Sequence, residues 1–452
     1  MLIAECSHKK SSVVDWAAMY RRHLIRTKRR LLSRNKWKLR LLFWGSAVIV
    51  GLVAAAFALI AKTADEFFHQ LHHTTPWLAY LLTPLGLVTV AYLTRRFFNG
   101  SEGSGIPQAI AALNMRSHAL RSRVLSLRVA MAKILLTSLG LFSGASIGRE
   151  GPTVHIGASL MYSLRHIAPF RGNEMTRGLI LAGGAAGISA AFNTPLAGIL
   201  FAIEEMSHSY ESRTSGILLI SVVLAGVTAV SVLGHYTYFG STDTTIPLST
   251  GWLAVLICGV AGGLLGGLFS SGLIIGSRRV APLAASRPVL LALGCGLLLS
   301  LLGFLSNGAT YGTGYEEASR LVAGGAPDAI YPILKLFATI ISYLSGIPGG
   351  IFAPTLSVGA GLGADLAALI PNAPLEAVVM LGMVGYFTGV VQTPITALVI
   401  VMEMNNDSAM MLPLIATALI ANAISRMVCP QPIYQALSEV YLERDDNGKL
   451  HH

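Results

Sequence analysis

Residues 143–160 read SGASIGREGPTVHIGASL, and residues 345–362 read SGIPGGIFAPTLSVGAGL. Eight positions are identical at a constant offset of 202: Ser143-Gly144, Gly148, Pro152-Thr153, Gly157-Ala158 and Leu160 against Ser345-Gly346, Gly350, Pro354-Thr355, Gly359-Ala360 and Leu362. A second pair follows at an offset of 199, where Thr194-Pro195 leads an apolar run to Glu204 and Thr393-Pro394 leads one to Glu403. Two matches in the same order mark an internal duplication. Duplicated chains whose apolar helices are broken by Gly and Pro at corresponding positions have the architecture of transporters, with the substrate held near the midplane where broken helix ends meet. The spacing leaves open whether the two halves are parallel or inverted.

The solvent for these repeats is lipid. Of 452 residues, 53% are hydrophobic and only 12% charged, with a mean hydropathy of +0.62; a soluble protein carries about a quarter charged residues. Residues 41–61, 76–94, 178–203, 214–234, 245–277, 288–315, 336–364, 377–402 and 408–425 contain no Asp, Glu, Lys or Arg. A bilayer core needs about 20 such residues per helix, so the chain is expected to embed ten or more helical segments in one membrane domain.

The net charge of +11 resembles a nucleic-acid signal, but twelve of the Lys and Arg residues lie within residues 1–40, against Glu5 and Asp15 alone. A basic head before the first span is a cytoplasmic signal and a surface for anionic lipid, and nucleic acid is not an expected partner. The following loop, 62–75, reads as acidic and His-rich, and the next carries Arg95, Arg96, Arg116, Arg121, Arg123 and Arg128. This alternation predicts a cytoplasmic N-terminus. No cleavable signal peptide is visible. Cys6, Cys258, Cys295 and Cys429 are scattered, without the spacing of a disulfide framework or a metal knuckle. The expected divisions are a basic segment 1–40, membrane repeats 41–230 and 231–428, and a last helix end with a short tail, 429–452.

The charge pair Arg149-Glu150 and then Gly151-Pro152 follow an uncharged run, 134–148, too short to cross a bilayer. Proline is favoured in the first turn of a helix, where its missing N–H is not needed, so a new helix is predicted near Glu150. Residues 349–354, GGIFAP, repeat the design, and residues 103–107, GSGIP, supply a third case. Each offers free backbone N–H groups and the positive end of a helix dipole, which attract anions. Irregular backbone inside a membrane is tolerated where it is buried or lines a cavity. Three such ends predict one cavity lined by N–H donors, with the Ser104 hydroxyl available beside them. For Gly157 and residues 183–187, close helix packing is the expected role.

These residues resemble the CLC family of chloride channels and chloride/proton antiporters, in the bacterial form without C-terminal CBS domains. The resemblance rests on Gly103-Ser104-Gly105-Ile106-Pro107, Gly148-Arg149-Glu150-Gly151-Pro152 and Gly350-Ile351-Phe352-Ala353-Pro354, in family order across the membrane domain. It implies an all-α integral membrane protein of two inverted-topology repeats of tilted and broken helices. It also implies a homodimer with one pore per subunit, and a transporter rather than an enzyme, with chloride and protons as its partners and no cofactor or metal. By resemblance, Ser104, Tyr434 and the backbone amides of Ile351 and Phe352 bind chloride, Glu150 gates the pathway, and Glu205 transfers protons on the inner side. Proton exchange is the expected function, and a passive voltage- or pH-gated channel of the same fold is the alternative. A fluoride-selective relative fits Ser104 less well. The expected location is a bacterial inner membrane.

Elementary electrostatics supports the gate independently. Two like charges about 4 Å apart repel by roughly 4 kcal/mol at an effective dielectric near 20, so Glu150 is expected to swing away or protonate when chloride enters. Glu205 ends an apolar run, where an acid is costly and usually functional. Glu403 aligns with Glu204 rather than Glu205 and reads as structural. Lys133, in an apolar stretch, is open: some antiporter relatives carry an acid just after the Gly-Ser-Gly-Ile-Pro box, whereas this chain has Gln108, Ala109 and Ile110. Lys133 either pairs with Glu205 or snorkels to the interface.

Two other constellations carry less. His69, His72 and His73 have helical spacing with Asp65 and Glu66 nearby, a pattern that suits zinc but also a solvated outer loop. Ser143, Ser146 and His155 include the residue types of an intramembrane serine hydrolase, yet nothing in the sequence sets a base against a nucleophile.

Overall fold

The computed structural model describes residues 34–115, 117–167, 172–207, 215–234, 239–240, 244, 246, 248–326, 328–371, 373–405 and 409–446. Most of the basic head, Cys6, Arg116 and the tail beyond residue 446 lie outside these residues. The chain forms two compact units, Met1–Ser46 and Ala47–His452. In the first, the described part is the start of one long helix, where Trp37 and Trp44 meet edge to face. The second holds the membrane architecture.

The helices are α1 (Arg34–Thr74), α2 (Pro76–Phe97), α3 (Ile106–Asn114), α4 (His118–Val124), α5 (Leu127–Phe142), α6 (Glu150–Ser163), α7 (Asn173–Phe192), α8 (Pro195–Phe201), α9 (Ser215–Leu233), α10 (Leu248–Ser286), α11 (Pro288–Leu305), α12 (Tyr315–Val322), α13 (Tyr331–Leu344), α14 (Phe352–Ala367), α15 (Leu375–Val391), α16 (Pro394–Asn405), α17 (Met411–Val428) and α18 (Ile433–Asp446). Seven of the described helices are long and apolar enough to cross a bilayer, and four shorter apolar helices accompany them. The expected loop 62–75 is instead the polar end of α1, which runs to Thr74. The i, i+3, i+4 histidine spacing already carried that helical period.

The duplication recurs in the order of the helices. Helix α6 corresponds to α14, α7 to α15 and α8 to α16. Each of α7 and α15 ends on a residue in the left-handed region, Asn193 at φ 59° and Gln392 at φ 61°, followed by Thr-Pro and a new helix. Helices α6 and α7 pack with Gly157 against Gly183, where an added Cβ on either would collide with the other's backbone. In the second half Gly359 and Gly382 meet in the same way. Close packing is therefore the role of these glycines, as small residues commonly serve in membranes. Helices α7 and α15 form the enclosed centre, while α10, α11 and α17 expose rows of large apolar side chains, among them Leu256, Leu264, Leu297, Leu301 and Leu419.

Candidate functional site

The three glycine boxes, far apart in sequence, are tied together by backbone hydrogen bonds. Gly103 N–H donates to Ile347 O at 3.2 Å, and Gly349 N–H donates to Gly103 O at 3.2 Å. Gly148 and Gly350 exchange a reciprocal pair of N–H···O bonds at 2.7 Å. These two short bridges bring the starts of α3, α6 and α14 to one place. Arg149 and Ile351 cap α6 and α14 without a side-chain hydrogen bond to the helix, so their side chains leave the first-turn N–H groups uncapped. Pro107, Pro152 and Pro354 all lie within the first turn of their helices.

Glycine is required where the boxes touch. Gly103 and Gly105 have φ of 67° and 100°, a region costly for other residues, and Gly105 caps α3. A Cβ on Gly105 would stand 2.6 Å from His155 Cβ, and one on Gly151 would collide with Ser104 Oγ. Ser104 is thereby pressed against the first turn of α6. Its hydroxyl is buried and accepts or donates no full hydrogen bond among the described residues; the same holds for the Tyr434 hydroxyl, which approaches it from α18. Two hydroxyls without completed bonds, beside the starts of α6 and α14, are donors available to an anion.

Phe352, at the start of α14, is held in an aromatic cage. Its ring lies 4.8 Å from Phe387, 5.8 Å from Tyr434 in a stacked pair, and 6.0 Å from both Phe192 and Phe201. Ile351, Ala353 and Pro354 are buried alongside. The sequence reading missed Phe192, Phe201 and Phe387, because their shared target is distant along the chain.

Glu150 is fully buried at the start of α6. Its carboxylate folds back over Gly148: a Cβ there would collide with Glu150 Oε2 while lying 3.2 Å from Pro354 Cδ and 3.4 Å from Ala353 N. The carboxylate therefore sits beside the N-terminus of α14. The Arg149 side chain leaves the site and donates to Ala58 O at 2.5 Å.

Glu204 and Glu205 are neighbours with opposite environments. They lie on a π-helical turn, Ala202–Ser207, that continues α8, a form often found at functional sites. Glu204 reaches across to α16, accepting from Ile395 N at 3.3 Å, Thr396 N at 2.7 Å and Thr396 Oγ1 at 2.8 Å. Glu403 returns the contact to α8, accepting from Leu196 N at 3.1 Å and Ala197 N at 2.8 Å. The two acids cap each other's helices across the duplication, the structural role expected of Glu403. Glu205 instead turns inward, 1% exposed, and neither of its carboxylate oxygens accepts a hydrogen bond among the described residues.

Lys133 neither pairs with Glu205 nor snorkels. It is buried, and its Nζ donates to three consecutive carbonyls, Ser101 at 3.0 Å, Glu102 at 3.3 Å and Gly103 at 2.9 Å. Those carbonyls replace the carboxylate partner considered from the sequence. Lys335 donates in the same way to Thr310, Tyr311 and Gly312 at 2.9, 3.2 and 2.8 Å. Lys335 stands at the same offset of 202 from Lys133 as the boxes do, a signal of the repeat that the apolar run around it masks.

The alternative sites do not assemble. His72 is buried and borders Tyr80 and Tyr311, while His69 faces Asp65. Ser143 donates to Leu139 O, Ser146 contacts Ser342 and Thr339, and the ring of His155 faces Val124 O.

Residues 85–426 match the voltage-gated chloride channel family. A slow cyanobacterial Cl−/H+ antiporter is similar over 89% of this chain and 98% of its own, with 25% identity and a TM-score of 0.77. A CLC-type fluoride/proton antiporter matches over 88% of this chain and 96% of its own, with 25% identity and a TM-score of 0.76. A eukaryotic CLC transporter shares the fold at 20% identity and a TM-score of 0.73, over 89% of this chain and 74% of its own. With its three boxes knitted into one site and the match spanning most of its length, the chain belongs to the voltage-gated chloride channel family.

Proposed function

We propose that this protein is a secondary-active antiporter that moves chloride across a membrane in exchange for protons. The observation that carries the reading is Glu205, an acid buried on a π-turn with no hydrogen-bond donor of its own among the described residues. A passive anion pathway has no use for such a group, whereas a proton pathway needs a carboxylate that can bind and release a proton. Similarity to the two antiporters supports the same choice over a passive channel.

In this reading chloride sits between the Ser104 and Tyr434 hydroxyls and the backbone amides of Ile351 and Phe352. Glu150 competes for the neighbouring helix end, and the entering anion displaces it. Displacement and protonation then favour each other, because a neutral carboxyl no longer repels chloride. Glu205 hands protons on from the other side. The remaining box residues, Gly103, Gly105, Ile106, Pro107, Gly148, Arg149, Gly151, Pro152, Gly350, Ala353 and Pro354, shape and hold the helix ends. The site acts by binding and proton transfer, without a metal, a cofactor or enzymatic chemistry.

The same reading makes the protein a homodimer with one pore per subunit, embedded in lipid of a bacterial inner membrane with a cytoplasmic N-terminus. The halves divide into residues 41–230 and 231–428, between a basic head, 1–40, and a last segment, 429–452.

The test is proton movement in liposomes with the membrane voltage clamped. An imposed chloride gradient is expected to drive protons uphill. Chloride flux with an unchanged internal pH would establish a passive channel instead. Repeating the gradient with fluoride separates a chloride exchanger from a fluoride exchanger.

A further inference from the structure

The turn at Gly103-Ser104-Gly105 has a counterpart in the other half at Gly312-Thr313-Gly314. The glycines match in conformation, with φ of 67° and 100° in the first turn and 62° and 77° in the second. Each turn opens a helix, capped by Gly105 in one half and Gly314 in the other. Each is gripped by a buried lysine that donates to the carbonyls leading into it. Position 155 packs against the last glycine of the first turn, and Ser357, its equivalent by the offset of 202, donates to Gly314 O at 2.7 Å. The second turn thus has the build of the first, with a threonine hydroxyl in place of the serine hydroxyl.

The two turns differ in what fills them. Ser104 Oγ has no completed hydrogen bond among the described residues. At the second turn an anionic group is already bound: Asp65, from α1, accepts from Thr313 N at 3.3 Å and Thr313 Oγ1 at 3.0 Å through Oδ2. Its other oxygen, Oδ1, is buried against Gly312, where a Cβ would collide with it, and accepts no hydrogen bond among the described residues. His69 Nε2 stands 3.8 Å from Oδ1.

We propose that the Gly312–Thr313–Gly314 turn is a second small-anion site, and that the Asp65 carboxylate is its tethered occupant. The Thr313 N–H and hydroxyl, just before α12, converge on a negative group, and the hydroxyl in turn accepts from Tyr315 N at 3.3 Å; such donors at a helix start hold small anions. With the carboxylate in place, this second turn offers nothing to a passing anion. A duplicated fold then keeps one anion pathway per chain rather than two. The comparison with Ser104 rests on the proposed function, but occupancy of the second turn is measured separately.

The experiment compares full-length wild type with Asp65→Ala and Asp65→Asn, purified in detergent, by chloride titration calorimetry. Asp65→Ala is expected to bind one more chloride per chain than wild type, and Asp65→Ala/Thr313→Val to lose that gain. Asp65→Asn keeps an acceptor oxygen in the turn and is expected to match wild type. An Asp65→Ala protein that folds and binds no additional chloride overturns the proposal. If Asp65→Ala folds poorly, recovery in molar chloride but not in gluconate at equal ionic strength supports the site, and failure in both overturns it. Absence of chloride binding in wild type would count against the transport reading, while the gain in Asp65→Ala still decides the second turn.

Discussion

Lys133 and Lys335 make the same three bonds in the two halves of the chain, each donating its ammonium hydrogens to three consecutive backbone carbonyls. An ammonium has three donors and no acceptor, so each lysine is saturated without a carboxylate. The charge holds a turn in shape and is not a fixed cation beside the anion, which suits a site that must also release its cargo.

Lys133→Met is expected to cost about 3 kcal/mol of stability, because several buried carbonyls lose their donor, and to weaken chloride binding through movement of Ser104. Lys133→Arg should not restore either property, since a planar fork does not match three converging oxygens. Lys335→Met should be as destabilising while leaving chloride affinity at Ser104 unchanged. Thermal unfolding and chloride titration distinguish the two lysines; equal loss of chloride affinity in both variants would refute separate roles.

Glu150→Ala removes the carboxylate beside the α14 start. Chloride transport should persist, lose its pH dependence and lose coupling to protons. Flux measured between pH 4 and 8 checks this, and an unaltered transport ratio would remove Glu150 from the gate.

Glu204 and Glu205 allow a contrast between adjacent acids. Glu205→Gln is expected to stop proton movement while chloride still passes. Glu204→Gln should cost about 1–2 kcal/mol, as charge-assisted bonds to α16 weaken, with the proton-to-chloride ratio unchanged. Glu403→Gln should behave like Glu204→Gln. Loss of coupling in Glu204→Gln but not in Glu205→Gln would reverse the assignment.

Gly151→Ala places a methyl group against Ser104 Oγ. Chloride affinity should fall by roughly tenfold, equivalent to about 1.4 kcal/mol, as the hydroxyl is pushed from its position. Calorimetric titration reads the effect directly, and an unchanged affinity would place the anion away from Ser104.

Much of this was legible because the decisive features are local or repeat. The boxes declare themselves by Gly and Pro at helix starts, and their offset identifies the duplication. The match between Glu204 and Glu403 follows from the same arithmetic. What was not legible depends on contacts between distant segments. The Phe352 cage draws rings from α7, α8, α15 and α18, and apolar runs give no sign of which ring meets which. Lys133 looked partnerless because carbonyl groups belong to every residue and leave no mark in a sequence. Residues 62–75 looked like a loop because polarity outweighed their helical spacing.

The paired Gly148 and Gly350 carry one further consequence, for biogenesis. Their reciprocal bonds join residues 202 positions apart, and contacts of such separation form late, after the cost of closing the intervening loop is met. A ribosome releasing the first half delivers the Ser104 turn and the Glu150 helix start without the 347–350 backbone that completes them. In the proposed reading, the anion route therefore comes into being only when the second half inserts. A nascent or truncated chain is built without an open route through the bilayer, and so does not discharge the membrane that is receiving it.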